Sequence, residues 1–124
     1  MGKKEKQVLI VDDDPDIVEF LSYNLKKRGY AVTSSPSGLN AIWEIEGGKL
    51  PDLVLLDLMM PSPDGYDLCR FLKGCDDFRK VPLVIISAKG TPEDLKKGLE
   101  MGADAYLPKP FSIGSLMEVV RKFA

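Results

Sequence analysis

The sequence predicts an α/β fold: a five-stranded parallel sheet, strand order 2-1-3-4-5, with helices on both faces. Three observations carry the prediction. Val8 to Val11, Leu53 to Leu56 and Leu83 to Ile86 are unbroken apolar runs, the pattern of strands covered on both faces rather than one. Stretches of helical periodicity separate the strand-like runs by short links, so strand and helix alternate along the whole chain. The other two strand candidates are polar or short and belong at the edges, which with right-handed crossovers gives this order.

Each element follows from local signals. The first strand, from Gln7, ends in Asp12-Asp13-Asp14. Asp14 then caps a helix that opens with Pro15, a residue the first turn tolerates. Val18, Leu21, Leu25 and, at the margin, Ile17 form its inward face; Lys26-Lys27-Arg28 suit its negative end and Gly29 stops it. Tyr30 to Ser35 is the polar edge strand. Ser37 can cap a helix reaching about Glu46, with Leu39, Ile42 and Ile45 inward and Gly47-Gly48 after it. The Leu53 strand ends in Asp57, and Pro61 with Pro63-Asp64-Gly65 marks the turn beyond it. A helix from about Gly65 to Lys73 buries Leu68, Phe71 and Leu72, and Asp76 to Lys80 is a polar loop.

The Leu83 strand ends in Ser87. Thr91-Pro92-Glu93-Asp94 is a strong helix start. That helix turns Leu95 and Leu99 inward and closes at Gly102. Gly98 inside it costs about 1 kcal/mol relative to alanine, so it reads as the loosest helix. Ala103 to Leu107 is a short strand, followed by Lys109. Ser112 caps a last helix with Ile113, Leu116, Val120 and Phe123 inward.

At 124 residues the chain reads as one domain, 1–124, with residues 1–6 as a flexible lead-in. The net charge of −2, with acids and bases interleaved, lacks the basic footprint of a nucleic-acid binder. No apolar run is long enough to span a membrane and no signal peptide is visible, so the expected compartment is the cytoplasm. Cys69 and Cys75 match no zinc spacing and read as structural thiols. The chain has no histidine, which excludes histidine-based nucleophile activation and histidine-ligated metals.

The chemistry concentrates at the strand ends. In a parallel sheet Asp12 and Asp13, Asp57, Ser87 and Lys109 all reach one rim. The first and third strands are neighbours where the strand order reverses, the place such sheets bind ligands. Two carboxylates at about 4 Å and an effective dielectric near 20 repel by on the order of 4 kcal/mol. One lysine does not offset three acids; a hard divalent cation would, and magnesium suits a few carboxylates, waters and a phosphate oxygen. Asp57 is then a plausible nucleophile toward phosphorus, with the cation, Lys109 and Ser87 available to the phosphoryl oxygens.

Val11-Asp12-Asp13-Asp14-Pro15, Asp57-Leu58-Met59-Met60-Pro61 with Asp64-Gly65, Ser87-Ala88, Gly102-Ala103-Asp104 and Lys109-Pro110-Phe111 together resemble the response-regulator receiver domain, with its flavodoxin-like fold, over nearly the whole chain. The resemblance implies that Asp57 is the phosphoacceptor. It implies that Asp13, Asp57 and the Met59 backbone carbonyl hold Mg2+, with Asp12 acting mostly through water. Ser87 and Lys109 would contact the phosphoryl group, Lys109-Pro110 would be a cis peptide, and Ser87 with Tyr106 would form the switch. The implied phosphodonor is a histidine kinase or histidine phosphotransfer protein. The implied output is a changed docking surface for a downstream effector protein or domain, with phosphorylation-dependent dimerisation as an option. No direct contact with nucleic acid or membrane is expected, and no catalysis beyond the chain's own phosphorylation and dephosphorylation.

Lys96, Lys97, Asp104, Glu118, Arg121 and Lys122 decorate the expected output surface. Phe20 is expected to pack toward the last helix; Tyr23 either does the same or docks a phosphodonor. The rival readings are a degenerate receiver used only for docking, a magnesium phosphohydrolase and a nucleotide or flavin binder. The second lacks an acid two residues after Asp57, where Met59 stands, and the third lacks a glycine-rich first turn. By the same resemblance Met59 and Lys89, two residues beyond Asp57 and Ser87, would flank the route of attacking water and slow it by their bulk. Met59→Asn or Lys89→Ala is therefore expected to shorten the phosphoryl lifetime, followed by loss of the label after the donor is removed.

Overall fold

A computed structural model describes residues 6–35, 50–57, 65–74, 79–88 and 92–124, without the side chains of residues 65–69 and Asp94. The expected helix from Ser37, the turn at Pro61 to Asp64, Met59, Cys75, Lys89 and the Thr91 cap lie outside the described residues, as do residues 1–5.

The described elements are β1 (Gln7–Val11), α1 (Pro15–Lys27), β2 (Ala31–Ser35), β3 (Leu53–Asp57), α2 (Gly65–Gly74), β4 (Leu83–Ser87), α3 (Pro92–Glu100), β5 (Ala105–Pro108) and α4 (Ile113–Phe123). The strands form one sheet in the order β2-β1-β3-β4-β5, and every pair is parallel. Every residue of β3 and β4 is buried, as is β1 after Gln7, while β2 and β5 are partly exposed edges.

Alternation of side chains along the strands divides the core in two. On one face Leu9, Val11, Val54, Leu56, Leu83 and Ile85 pack with Leu72 of α2, and Met101 and Tyr106 lie against them. On the other, Val8, Ile10, Leu53, Leu55, Val84 and Ile86 meet Leu21 and Leu25 of α1 and Leu116, Met117 and Val120 of α4.

The helix ends follow their sequence signals. The Asp14 carboxylate accepts the Asp16 N–H at 3.0 Å, and Pro15 fills the first turn. Gly29, at φ +92°, ends α1 in a Schellman turn: its N–H donates to Lys26 O and the Tyr30 N–H to Leu25 O. Gly102, at φ +106°, repeats the device after α3, with N–H bonds from Gly102 to Leu99 O and from Ala103 to Gly98 O. The Ser112 hydroxyl accepts the Ser115 N–H at 3.0 Å and caps α4.

Several expectations need correction. Leu99 and Ile113 point to solvent, because each falls beyond the margin of its helix's buried stripe. Leu95 is half-buried. The last strand begins at Ala105 rather than Ala103, since Gly102 and Ala103 are spent on the helix stop. Phe20 meets Phe111, centroids 6.1 Å apart, in the segment before α4 rather than the helix itself. Tyr23 is exposed, with the Lys27 ammonium 5.8 Å from its ring centroid.

Asp104 lies at the surface as expected and also has a structural role. Its carboxylate accepts the Lys73 ammonium at 3.0 Å and the Leu83 N–H at 2.8 Å, and its own N–H donates to Leu83 O. Lys73 also donates to the carbonyls of Arg79 and Val81. This group ties the end of α2 to the start of β4 and to the segment entering β5. Asp104→Ala removes the acceptor of the part-buried Leu83 amide and the counter-charge of Lys73, which keeps only its two carbonyl partners, and is expected to cost about 1–3 kcal/mol in urea unfolding. Asp104→Asn, which retains one acceptor, should cost less.

Candidate functional site

The C-terminal ends of β1, β3, β4 and β5 share one rim because the strands are parallel. Registers pair Val11 with Leu56 and Asp57 with Ile86, so the residues just past these positions lie side by side. Asp12 leaves the end of β1, Asp57 is the last residue of β3, and Ser87 is the last of β4. All three are at most 4% exposed, although none is apolar. Lys109 follows β5, and its N–H donates to Ser87 O at 2.8 Å, which carries the parallel pairing one residue past the strand. The Lys109–Pro110 peptide is cis.

One carboxylate oxygen each from Asp12, Asp13 and Asp57 lie within 4.8 Å of one another. The Lys109 ammonium reaches into this group, 3.3 Å from Asp12 Oδ2 and 3.7 Å from Asp57 Oδ2. Asp12 is held from its other oxygen by the Asp14 N–H at 2.9 Å, and its own N–H donates to Ser35 O. Asp14 points elsewhere, to its capping role, and so is not a fourth acid in the cluster.

Among the described residues, two buried acids, one exposed acid and one ammonium leave negative charge in excess. Burial, the largest influence, raises the Asp12 carboxyl above the ordinary carboxylate range, and the Asp57 charge raises it further. The Asp14 N–H and Lys109 pull it back. The oxygens suit a hard cation: all-carboxylate, converging, with Asp13 open to solvent for bound water. Asp12, Asp13 and Asp57 are the described residues that could hold it.

Sequence reasoning thus identified residues that the fold brings together: Asp12, Asp13, Asp57 and Lys109, with Ser87 adjoining through the backbone of Lys109. Tyr106 stands one position before Leu107 on β5, paired with Ile85 and packed on the core rather than at the acids. It missed the Asp14 amide as a brace on Asp12. It also missed Ser34 and Ser35, which with Asp12, Asp13, Pro15, Val18 and Glu19 line an open groove beside the acids. The signal was available, since β2 runs parallel to β1 and its end must face the same rim.

Comparison with known proteins gives this geometry a family. The model of the response regulator receiver domain matches residues 8–121. The chain belongs to that family. Among curated relatives, the receiver is 41% identical over 107 residues to the alkaline phosphatase synthesis transcriptional regulatory protein PhoP of Bacillus subtilis (strain 168). That alignment covers 86% of this chain and 43% of the relative, so the chain spans less than half the relative's length. Among solved structures, the signal receiver domain of a signal transduction histidine kinase from Syntrophus aciditrophicus is 35% identical, with a TM-score of 0.86, over 95% of this chain and 89% of that one. The BeF3-activated N-terminal receiver domain of Klebsiella pneumoniae RstA is 33% identical, with a TM-score of 0.87, over 95% and 97%. Membership of this family supports a role as a phosphorylation-activated signalling switch.

The raised Asp12 carboxyl fixes the sign of a stability test. A folded pKa above the unfolded one means that the folded state holds the proton more tightly. The resulting cost is absent below the unfolded value, grows as pH rises through the folded value, and is complete above it. In magnesium-free buffer, Asp12→Asn is therefore expected to raise the unfolding free energy at neutral pH by on the order of 1 kcal/mol. The gain should shrink as the buffer is made acidic, as measured by urea denaturation across pH.

Proposed function

We propose that this chain is a single cytoplasmic receiver domain, residues 1–124, that accepts a phosphoryl group on Asp57 from a histidine kinase or a histidine phosphotransfer protein. The observation that carries the reading is the seating of the Lys109 ammonium between Asp12 and Asp57, at 3.3 and 3.7 Å, beside three converging carboxylates. The carboxylates hold the ammonium in place, where it is also positioned to partner an incoming phosphoryl oxygen.

Asp13, Asp57 and the Met59 carbonyl would hold Mg2+, with Asp12 acting mainly through water. The cation would supply neutralisation of charge on the phosphoryl oxygens. In the transfer, an Asp57 carboxylate oxygen forms a bond to phosphorus as the donor's bond from phosphorus to nitrogen breaks. The electron pair leaves with the donor imidazole, which regains its neutral form by protonation. Lys109 turns toward the phosphoryl group, and the Ser87 hydroxyl takes another of its oxygens. No general acid is required of this chain, which suits a site with no histidine.

The new charge at the rim then draws Ser87 toward it, and Tyr106 turns into the space released. The signal reaches α3, β5 and α4, whose surface docks a downstream effector protein or domain. Coupling of about 1–3 kcal/mol is enough for such a shift. The relative from B. subtilis bears the name of a transcriptional regulatory protein, which supports an effector beyond the receiver. No direct nucleic-acid or membrane contact is assigned to this domain; among the described residues, no helix is long and apolar enough to cross a membrane. The phosphohydrolase reading has no acid at Met59 to support it.

Incubation with acetyl phosphate and magnesium tests the proposal. Intact-mass measurement should show one added phosphoryl group in the wild type and none in Asp57→Asn or without magnesium. A wild type that gains no mass, or an Asp57→Asn variant that gains as much, contradicts it.

A further inference from the structure

Tyr106 of β5 and Ile85 of β4 are partners across the sheet, with both side chains on the same core face. Helix α3 approaches them at Gly98, which is buried. A Cβ built on Gly98 would stand 2.9 Å from Ile85 Cδ1, closer than real Cβ contacts come. It would stand 3.5 and 3.8 Å from Cδ2 and Cε2 of Tyr106, ordinary packing distances. The backbone of the helix, not a side chain, therefore forms the wall over this pair.

The rest of α3 grips the sheet lightly. Leu95 is half-buried, Leu99 is half exposed, and Lys96, Lys97 and Glu100 face solvent. The glycine is not there for backbone reasons, because its φ lies outside the left-handed region and alanine is the better helix former. Close approach is the remaining explanation for its place. It changes the reading of Gly98 from a weak point in the helix to the point on which the helix rests.

We propose that Gly98 is a positioning residue for Tyr106. Its missing side chain lets α3 sit directly on Ile85 and Tyr106, so the height of the helix above the sheet and the packing of the tyrosine ring are set together. A methyl group at position 98 has to lift the helix or turn the Ile85 terminus, and either response changes the surface against which the ring lies. The functional weight of this link rests on the reading of Tyr106 as the moving part of the switch.

The test uses the whole chain with fluorinated tyrosine. Four tyrosines are present, and Tyr106→Phe identifies the signal that belongs to Tyr106. The spectrum is compared for wild type, Gly98→Ala and the pair Gly98→Ala with Ile85→Val, valine lacking the Cδ1 atom that the methyl would meet. Gly98→Ala is expected to shift the Tyr106 resonance, and the pair to return it toward the wild-type position, with magnesium affinity unchanged in all three. An unmoved resonance in Gly98→Ala overturns the proposal. So does a shift that Ile85→Val fails to reverse, since the methyl would then act elsewhere. Adding beryllofluoride with magnesium to the wild type separates the two readings: a Tyr106 signal indifferent to it removes the switch, whereas the Gly98 comparison is made without it and stands or falls alone.

Discussion

The constraint on which the site depends is the forced proximity of like charges. Asp12 and Asp57 are delivered to adjacent strand ends by apolar runs that are buried on both faces and have no alternative position. The favourable burial of Val8 to Val11 and Leu53 to Leu56 holds the two carboxylates near one another, against their repulsion. Lys109, arriving from beyond β5, offsets part of the charge. The remainder is chemical potential for a hard cation and, with it, an anionic group.

The scaffold around that rim is braced from the opposite edge of the sheet. Asp104, Lys73 and the Leu83 amide join three segments where β4 and β5 begin. Gly102 permits the helix stop beside the Lys73 stem: a Cβ there would lie 2.6 Å from Lys73 Cγ. The two ends of the sheet thus differ in kind. One is closed by complementary charges with their hydrogen bonds met, and the other gathers charge that its own residues do not balance. Between them, α3 approaches Ile85 and Tyr106 through a glycine backbone.

Much of this was legible in the residues. Unbroken apolar runs separated central from edge strands, and the polar residue at each run's end marked the rim. Asp14, Gly29, Gly102 and Ser112 announced their helix ends through local chemistry that tertiary context did not override. What escaped were features that exist only between elements. The bracing contacts of Asp104 escaped because its partners are 21 and 31 residues away. Gly98 looked like a propensity defect because nothing in sequence reveals how closely a helix approaches a sheet. Leu99 and Ile113 fit a helical period but sit past the edge of the stripe that is covered, a distinction periodicity alone cannot draw.

The central claim is that the acids form one cation site, and calorimetric titration with magnesium tests it most directly. The account predicts saturable binding of one ion to the wild type, weakened severely by Asp13→Asn and by Asp57→Asn and insensitive to replacement of the distant Asp104. Heat no different from that of a matched sodium chloride titration, or binding that survives both substitutions unchanged, would contradict it.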